Sequence, residues 1–185
     1  MKRQIETARL LLAPATIDDF DACMRYWSEP SIPWPHGVTP DREHGWVRFL
    51  KNHGHWQLFG FGPWLIWETR TSTLIGEVGF MNTQRETCPA RGDEPEFGLV
   101  LLPSAQRQGF GQEAALAAHG WCDAMLPGQD TIGVLAATNT RALRLTGRLG
   151  YRADGQGSYH GDEVVFLRRR SRYFDSSAWL RAITV

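Results

Sequence analysis

Residues 96–115 read Glu96-Phe-Gly-Leu-Val-Leu-Leu102, Pro103-Ser-Ala105, Gln106-Arg-Gln-Gly109-Phe-Gly111-Gln-Glu-Ala-Ala115, and they decide the fold. The apolar run Phe97–Leu102 has the length of a strand, and Pro103 stops it. Gly109 and Gly111 then open a segment of Ala, Leu and Gln that predicts a helix to Leu126. The main-chain N–H groups from Arg107 to Gln112 are thereby expected unpaired at a helix N-terminus, where the helix dipole favours an anion.

Gly109-Phe-Gly111-Gln-Glu-Ala114 also fits the dinucleotide fingerprint G-x-G-x-x-A. That motif needs its first glycine directly off the strand and a carboxylate about 20 residues on. Here Pro103 to Gln108 intervene, and the next strand candidate, Thr131–Ala136, runs into Ala137-Thr-Asn139 with no carboxylate. Read as Q/R-x-x-G-x-G/A, Gln106-Arg107-Gln108-Gly109-Phe110-Gly111 resembles the pyrophosphate loop of the GNAT-type N-acetyltransferases. A second landmark follows: Asn139-Thr-Arg-Ala142-Leu-Arg-Leu-Thr146-Gly-Arg-Leu149-Gly150-Tyr151 resembles that superfamily's N-x-x-[AS]-x-x-L…L-G-[FY] segment. Physically, Asn139 is an N-cap, Ala142, Leu143 and Leu149 mark an apolar face, and Gly150 is a helix stop.

The rest of the chain is consistent with a single domain over residues 1–185. Twenty basic and twenty acidic residues cancel, which argues against nucleic acid or a membrane surface as partner. Cys23, Cys88 and Cys122 are odd in number and lack metal-ligand spacing, so a reducing cytoplasm without a bound metal is expected. No apolar run reaches membrane-span length, and Met1–Glu6 shows no signal-peptide core.

In chain order, Thr7–Ala13 predicts a strand and Thr16–Asp19 opens a helix carrying Phe20, Met24 and Trp27. Residues 29–38 read as an irregular proline-rich loop. Thr39-Pro40-Asp-Arg-Glu43 starts a second helix that should fray near Asn52-His-Gly54. Trp64–Glu68 and Leu74–Phe80 read as a hairpin, with Gly76 and Gly79 permitting close backbone approach. Residues 82–95 read as loop. Beyond Tyr151, turn residues Asp154–Gly157 and His160–Asp162 flank two closing strands. Arg168–Arg172 reads as a solvated edge, with an acidic partner or a nucleotide phosphate as the alternative. The order implies an α/β (α+β) fold with a mixed, mostly antiparallel sheet. It resembles the GNAT fold, which implies seven strands, helices on both faces and a central V-shaped splay.

Within that superfamily, Thr7-Ala-Arg-Leu-Leu-Leu12, Leu74-Ile-Gly76, Glu96-Phe-Gly-Leu99 and Gln106-x-x-Gly-x-Gly-x-Glu113-Ala114 resemble the branch of the ribosomal-protein N-terminal (alanine/serine) acetyltransferases. The resemblance implies acetyl-CoA as cosubstrate and direct transfer to a primary amine, a small molecule or a protein N-terminus, and it leaves a homodimer open. Diphosphate would lie on Gln106, Arg107, Gln108, Gly109, Phe110, Gly111 and Gln112, pantetheine along Leu99, Val100 and Leu101, and Asn139 and Ala142 would meet the pantetheine arm. An N–H near Val100 would face the developing oxyanion.

An attacking amine must be neutral, so a base is expected, with Glu96 and Glu77 as candidates. The superfamily's usual tyrosine acid corresponds to Thr146, and the branch's serine to Ala142; the thiolate therefore leaves unassisted, or Tyr151 or a residue elsewhere donates, with core packing the plainer reading of Tyr151. Trp34, Trp46, Trp56 and Trp64 could wall an acceptor pocket, though core packing is the plainer reading. A fold relative that binds acyl-CoA without turnover is the competing class.

Overall fold

The computed structural model describes residues 3–32, 41–90 and 92–171. The elements are β1 (Ile5–Glu6), β2 (Leu10–Ala13), α1 (Phe20–Trp27), α2 (Arg42–Leu58), β3 (Pro63–Glu68), β4 (Thr73–Met81), β5 (Thr87–Cys88), β6 (Glu96–Leu101), α3 (Phe110–Met125), β7 (Thr131–Ala136), α4 (Thr140–Arg148), β8 (Arg152–Tyr159) and β9 (Asp162–Arg169). They build one sheet in the order β1-β2-β3-β4-β6-β7-β9-β8-β5. Every neighbouring pair is antiparallel except β6 and β7.

Alternation along the strands separates two cores. Leu65 and Leu74 point to α1 and α2, where Phe20, Cys23, Tyr26, Trp27 and Phe49 are buried. Trp64, Ile66, Val78, Phe80, Phe97 and Leu101 point to the small-residue face of α3, Ala114, Ala115, Ala118 and Cys122. The expected helices on both faces are thus present. Tryptophans 56 and 64 are core residues, 2% and 0% exposed, forming an edge-to-face cluster with Trp121. Trp46 is partly exposed, and Trp34 lies outside the described residues.

Nine strands replace the expected seven because β1 and β5 are two-residue pairings, too short to show periodicity. Residues Thr7–Arg9 form a turn rather than strand, closed by the Thr7 N–H on the Leu10 carbonyl and by the Leu10 N–H on the Thr7 hydroxyl. The start expected at Thr39-Pro40 lies outside the described residues; the N-cap of α2 is Asp41, which accepts from the His44 N–H at 2.8 Å. Nor does α2 fray at Gly54. His55 and Trp56 are buried, and their ring nitrogens bond the Asn82 and Pro63 carbonyls, so tertiary packing carries the helix to Leu58. Asp154–Gly157 is a bulge inside β8, where the register to β9 shifts, not a turn.

The arginine run is only in part a solvated edge: the Arg170 side chain is 82% exposed, whereas those of Arg168 and Arg169 are not. Arg168 pairs with Glu94 and Asp154, buried Arg169 forks onto Asp123 at 2.7 Å twice, and Arg170 pairs with Asp130. Arg172 lies outside the described residues.

Candidate active site

Three sequence segments predicted to act together meet at the parallel junction. Strands β6 and β7 share one register pair, Glu96 with Ile132, and the Ile132 N–H donates to the Pro95 carbonyl. Beyond it β6 follows β4 while β7 follows β9, so the two strands part and a cleft opens between their edges. The Leu102 N–H donates to Ile75, which phases the β4–β6 ladder. By that alternation Val100 turns its N–H and C=O toward β4, and Leu99 and Leu101 turn theirs toward the cleft. The N–H expected near Val100 is therefore that of Leu99. The Leu101 carbonyl is already taken by the Gln106 side chain at 3.0 Å, and Arg141 of α4 holds the same amide at 2.6 Å. Gln106 thus ties the end of β6 to α4, a structural duty the motif did not reveal.

At the mouth of the cleft the chain turns through Arg107 (φ 62°) and Gly109 (φ 84°) into α3. The first intrahelical bond runs from Glu113 N–H to Gly109 C=O, and no side chain caps the start. The N–H groups of Phe110, Gly111 and Gln112 are left pointing off the helix end, where the dipole concentrates about half a positive charge. A Cβ on Gly111 would lie 3.3 and 3.4 Å from Leu101 Cδ1 and Leu99 Cδ2, so glycine lets the helix start sit tight on β6. The side chain of Gln108 bonds back to Ser104. Such a turn can take an oxyanion on main-chain donors alone.

Across the cleft, α4 begins as expected. Asn139 Oδ1 accepts from Ala142 N–H at 3.1 Å, and Gly150 (φ 97°) ends the helix. The Thr146 hydroxyl is buried and donates to the Ala142 and Leu143 carbonyls of its own helix. Tyr151 is a core residue: its hydroxyl lies 2.9 Å from Thr131 Oγ1 and 3.1 Å from His119 Nε2, and burial pushes its pKa well above the phenol range. Neither is poised to protonate a leaving group in the cleft.

Both candidate carboxylates project to the α1–α2 face and are nearly buried, Glu96 at 6% and Glu77 at 7% exposure. Glu77 stands opposite Val100 and accepts from Trp27 Nε1 (3.2 Å), Arg48 (2.7 Å) and Asn52 (3.4 Å). Glu96 lies four residues back along β6, about 13 Å at strand rise, so one amine cannot touch both. Arg85 Nε reaches both Glu96 oxygens, at 3.0 and 2.8 Å, and Thr83 donates at 2.7 Å. Burial works against the Arg85 charge, yet bonding to Glu96 outweighs it and raises its pKa. Tyr26, unremarked in the sequence, donates its hydroxyl to the Val100 carbonyl at 3.2 Å; burial first, then the Glu77 charge, holds its proton firmly. The spacing of Arg48 and Asn52, one helical turn apart, was the available signal for a shared target.

Comparison with known proteins decides the family. A family model described as "Acetyltransferase (GNAT) domain" matches residues 9–152. The chain belongs to the GNAT acetyltransferases. Among solved GNAT structures, a GNAT-family acetyltransferase of Bordetella pertussis is 23% identical and superposes with a TM-score of 0.82 over 91% of this chain and 99% of that one. The ribosomal-protein-S5-alanine acetyltransferase of Vibrio fischeri is 12% identical, TM-score 0.75, over 92% and 98%. A phosphinothricin acetyltransferase of Sinorhizobium meliloti, solved with AcCoA, is 20% identical, TM-score 0.67, over 88% and 89%. At these identities the likeness is one of fold. Among the described residues no helix is long and apolar enough to cross a membrane, and no group of three His, Cys, Asp or Glu could hold a metal.

Proposed function

We propose that this protein is an acetyl-CoA-dependent N-acetyltransferase that passes the acetyl group directly to a primary amine while both substrates are bound. The observation that carries the reading is the uncapped start of α3, set at the end of a strand whose Leu99 main chain faces the cleft. The diphosphate would rest on the N–H groups from Arg107 to Gln112, with the Arg107 charge at the rim. Pantetheine would continue along Leu99–Leu101 as an added strand, and the free Asn139 amide would reach its arm. The Leu99 N–H is then the main-chain donor for the carbonyl oxygen as charge develops on it.

Glu96 and Glu77 are the proposed bases. Each is paired with an arginine, Glu77 with Arg48 and Glu96 with Arg85, so taking a proton from the amine, directly or through water, means giving up part of that pairing. Glu77 lies beside the pantetheine segment and Glu96 beside the vertex of the splay. Glu77 also borders a cavity of about 10 Å³, near the size of one water, which lies toward Asn52, His53 and Leu65 rather than toward β6. Thiolate departure needs no residue at 146 or 142, since thiols are already fairly acidic.

A second reading draws on the same pairings. With both carboxylates tied to arginines, Thr146 bonded within its helix and Tyr151 buried, a module that holds acyl-CoA without turnover is the rival. The two separate on thiol release from acetyl-CoA across a panel of small amines and peptide N-termini. Amine-dependent release supports transfer; CoA binding with no release from any amine supports the rival. The chain is read as one cytoplasmic domain needing no metal.

A further inference from the structure

The turn at Thr7–Arg9 sits against the far side of the 106–111 loop, and its contacts are unusually dense. Glu113, in the first turn of α3, accepts from Thr7 Oγ1 at 2.6 Å, Arg9 N–H at 3.0 Å and Arg9 Nε at 2.8 Å, and pairs with Arg9 Nη2 at 2.6 Å. Arg9 Nη1 also donates to the Gln108 carbonyl at 3.0 Å, and the guanidinium lies 4.4 Å over the Phe110 ring. One side chain therefore grips three points of the loop: Gln108, Phe110 and Glu113.

This arrangement solves an electrostatic conflict. A carboxylate in the first turn is attracted to the helix dipole and so competes with any anion brought to the same N–H groups. Burial alone would raise the pKa of Glu113, but the Thr7 and Arg9 bonds outweigh it and keep the group ionised. Its charge is therefore met from outside the helix. Meanwhile the Gln108 carbonyl, which would otherwise repel an incoming phosphate if it swung inward, is drawn to the β1–β2 turn.

We propose that Arg9, seconded by Thr7, is a positioning residue for diphosphate binding: it holds the 107–111 loop with its N–H groups outward and turns the Glu113 and Gln108 oxygens away from the ligand. The inference rests on the acetyl-CoA reading above. It concerns the diphosphate alone, so a ligand without that group should not sense Arg9. Titration calorimetry with coenzyme A and with pantetheine, on wild type, Arg9→Ala and Arg9→Lys, tests it.

Arg9→Ala should weaken coenzyme A about tenfold, equivalent to about 1.4 kcal/mol, and leave pantetheine unchanged. Arg9→Lys keeps the charge but not the fork and should fall between. Equal weakening of both ligands would mark a general structural loss and overturn the proposal, as would unchanged coenzyme A binding in Arg9→Ala, or a lysine variant matching wild type. Wild type that fails to bind coenzyme A would overturn the acetyl-CoA reading itself, a different outcome from wild-type binding that Arg9→Ala retains.

Discussion

Replacing Glu77 with glutamine removes one charge from a nearly buried site while keeping its shape. Three donors converge on the carboxylate, and Arg48 beside it has only a quarter of its side chain exposed. Breaking a buried pair from one side costs about 3–5 kcal/mol because the other charge is stranded. Two features reduce that figure. Arg48 keeps some water, and its guanidinium lies 4.9 Å over the Trp27 ring, an attraction of about 1 kcal/mol. A net loss of about 2 kcal/mol is expected, lowering the melting midpoint by about 4–8 °C for a chain of this length. Scanning calorimetry measures it, and a companion Glu77→Gln/Arg48→Gln variant should recover part of the loss, since no charge is then left stranded. If Glu77 is the base, amine-dependent thiol release falls about 100-fold or more. A variant as stable as wild type would refute the reasoning about the buried pair. One with its amine-dependent thiol release intact would refute the role as base and leave Glu96.

Gly109→Ala places a Cβ at φ 84° and 3.3 Å from the flexible end of Arg9; it should destabilise by about 1–2 kcal/mol, chiefly from the left-handed backbone, as chemical denaturation will read. Native thiol titration with an aromatic disulfide should find one fast group, exposed Cys88. Cys23 and Cys122 are buried, and burial pushes each to about 12, so they should react only on unfolding. Glu113 and Asp130 have folded pKa values below their ordinary 4.5 and 3.8, so their stabilisation is present above those values and lost as pH falls through the depressed ones. The melting midpoint should accordingly drop on acidification below about pH 4.5, more gently in Glu113→Gln.

What could be read from residues alone follows the range of the forces involved. Pro103, Gly109, Asn139 and Gly150 act within a few residues of themselves, and the strand stop, the helix start, the cap and the αL stop all stand where local chemistry put them. The failures are cases where a distant partner outweighed a local preference. Gly54 should have ended α2, but Trp56 is anchored by the Pro63 carbonyl and two other tryptophans. Arg168 and Arg169 looked solvated because their partners, Glu94, Asp123 and Asp154, lie in other elements.

The site divides in the same way. The uncapped turn into α3 is contiguous and was legible, whereas the pairing of each carboxylate depends on Arg48 and Arg85, which only the fold brings to Glu77 and Glu96. Which N–H near Val100 is turned away from β4 could not be read from the strand alone, because it is a matter of register with β4, and that register selects Leu99.

Amide resonances report the central claim most directly. On titrating coenzyme A into isotopically labelled protein, the N–H signals of Gly109, Phe110, Gly111, Gln112 and Leu99 should move first and furthest, saturating together, while Val100 N–H, paired toward β4, moves less. Saturable shifts confined to other surfaces, with those five amides unmoved, would contradict it.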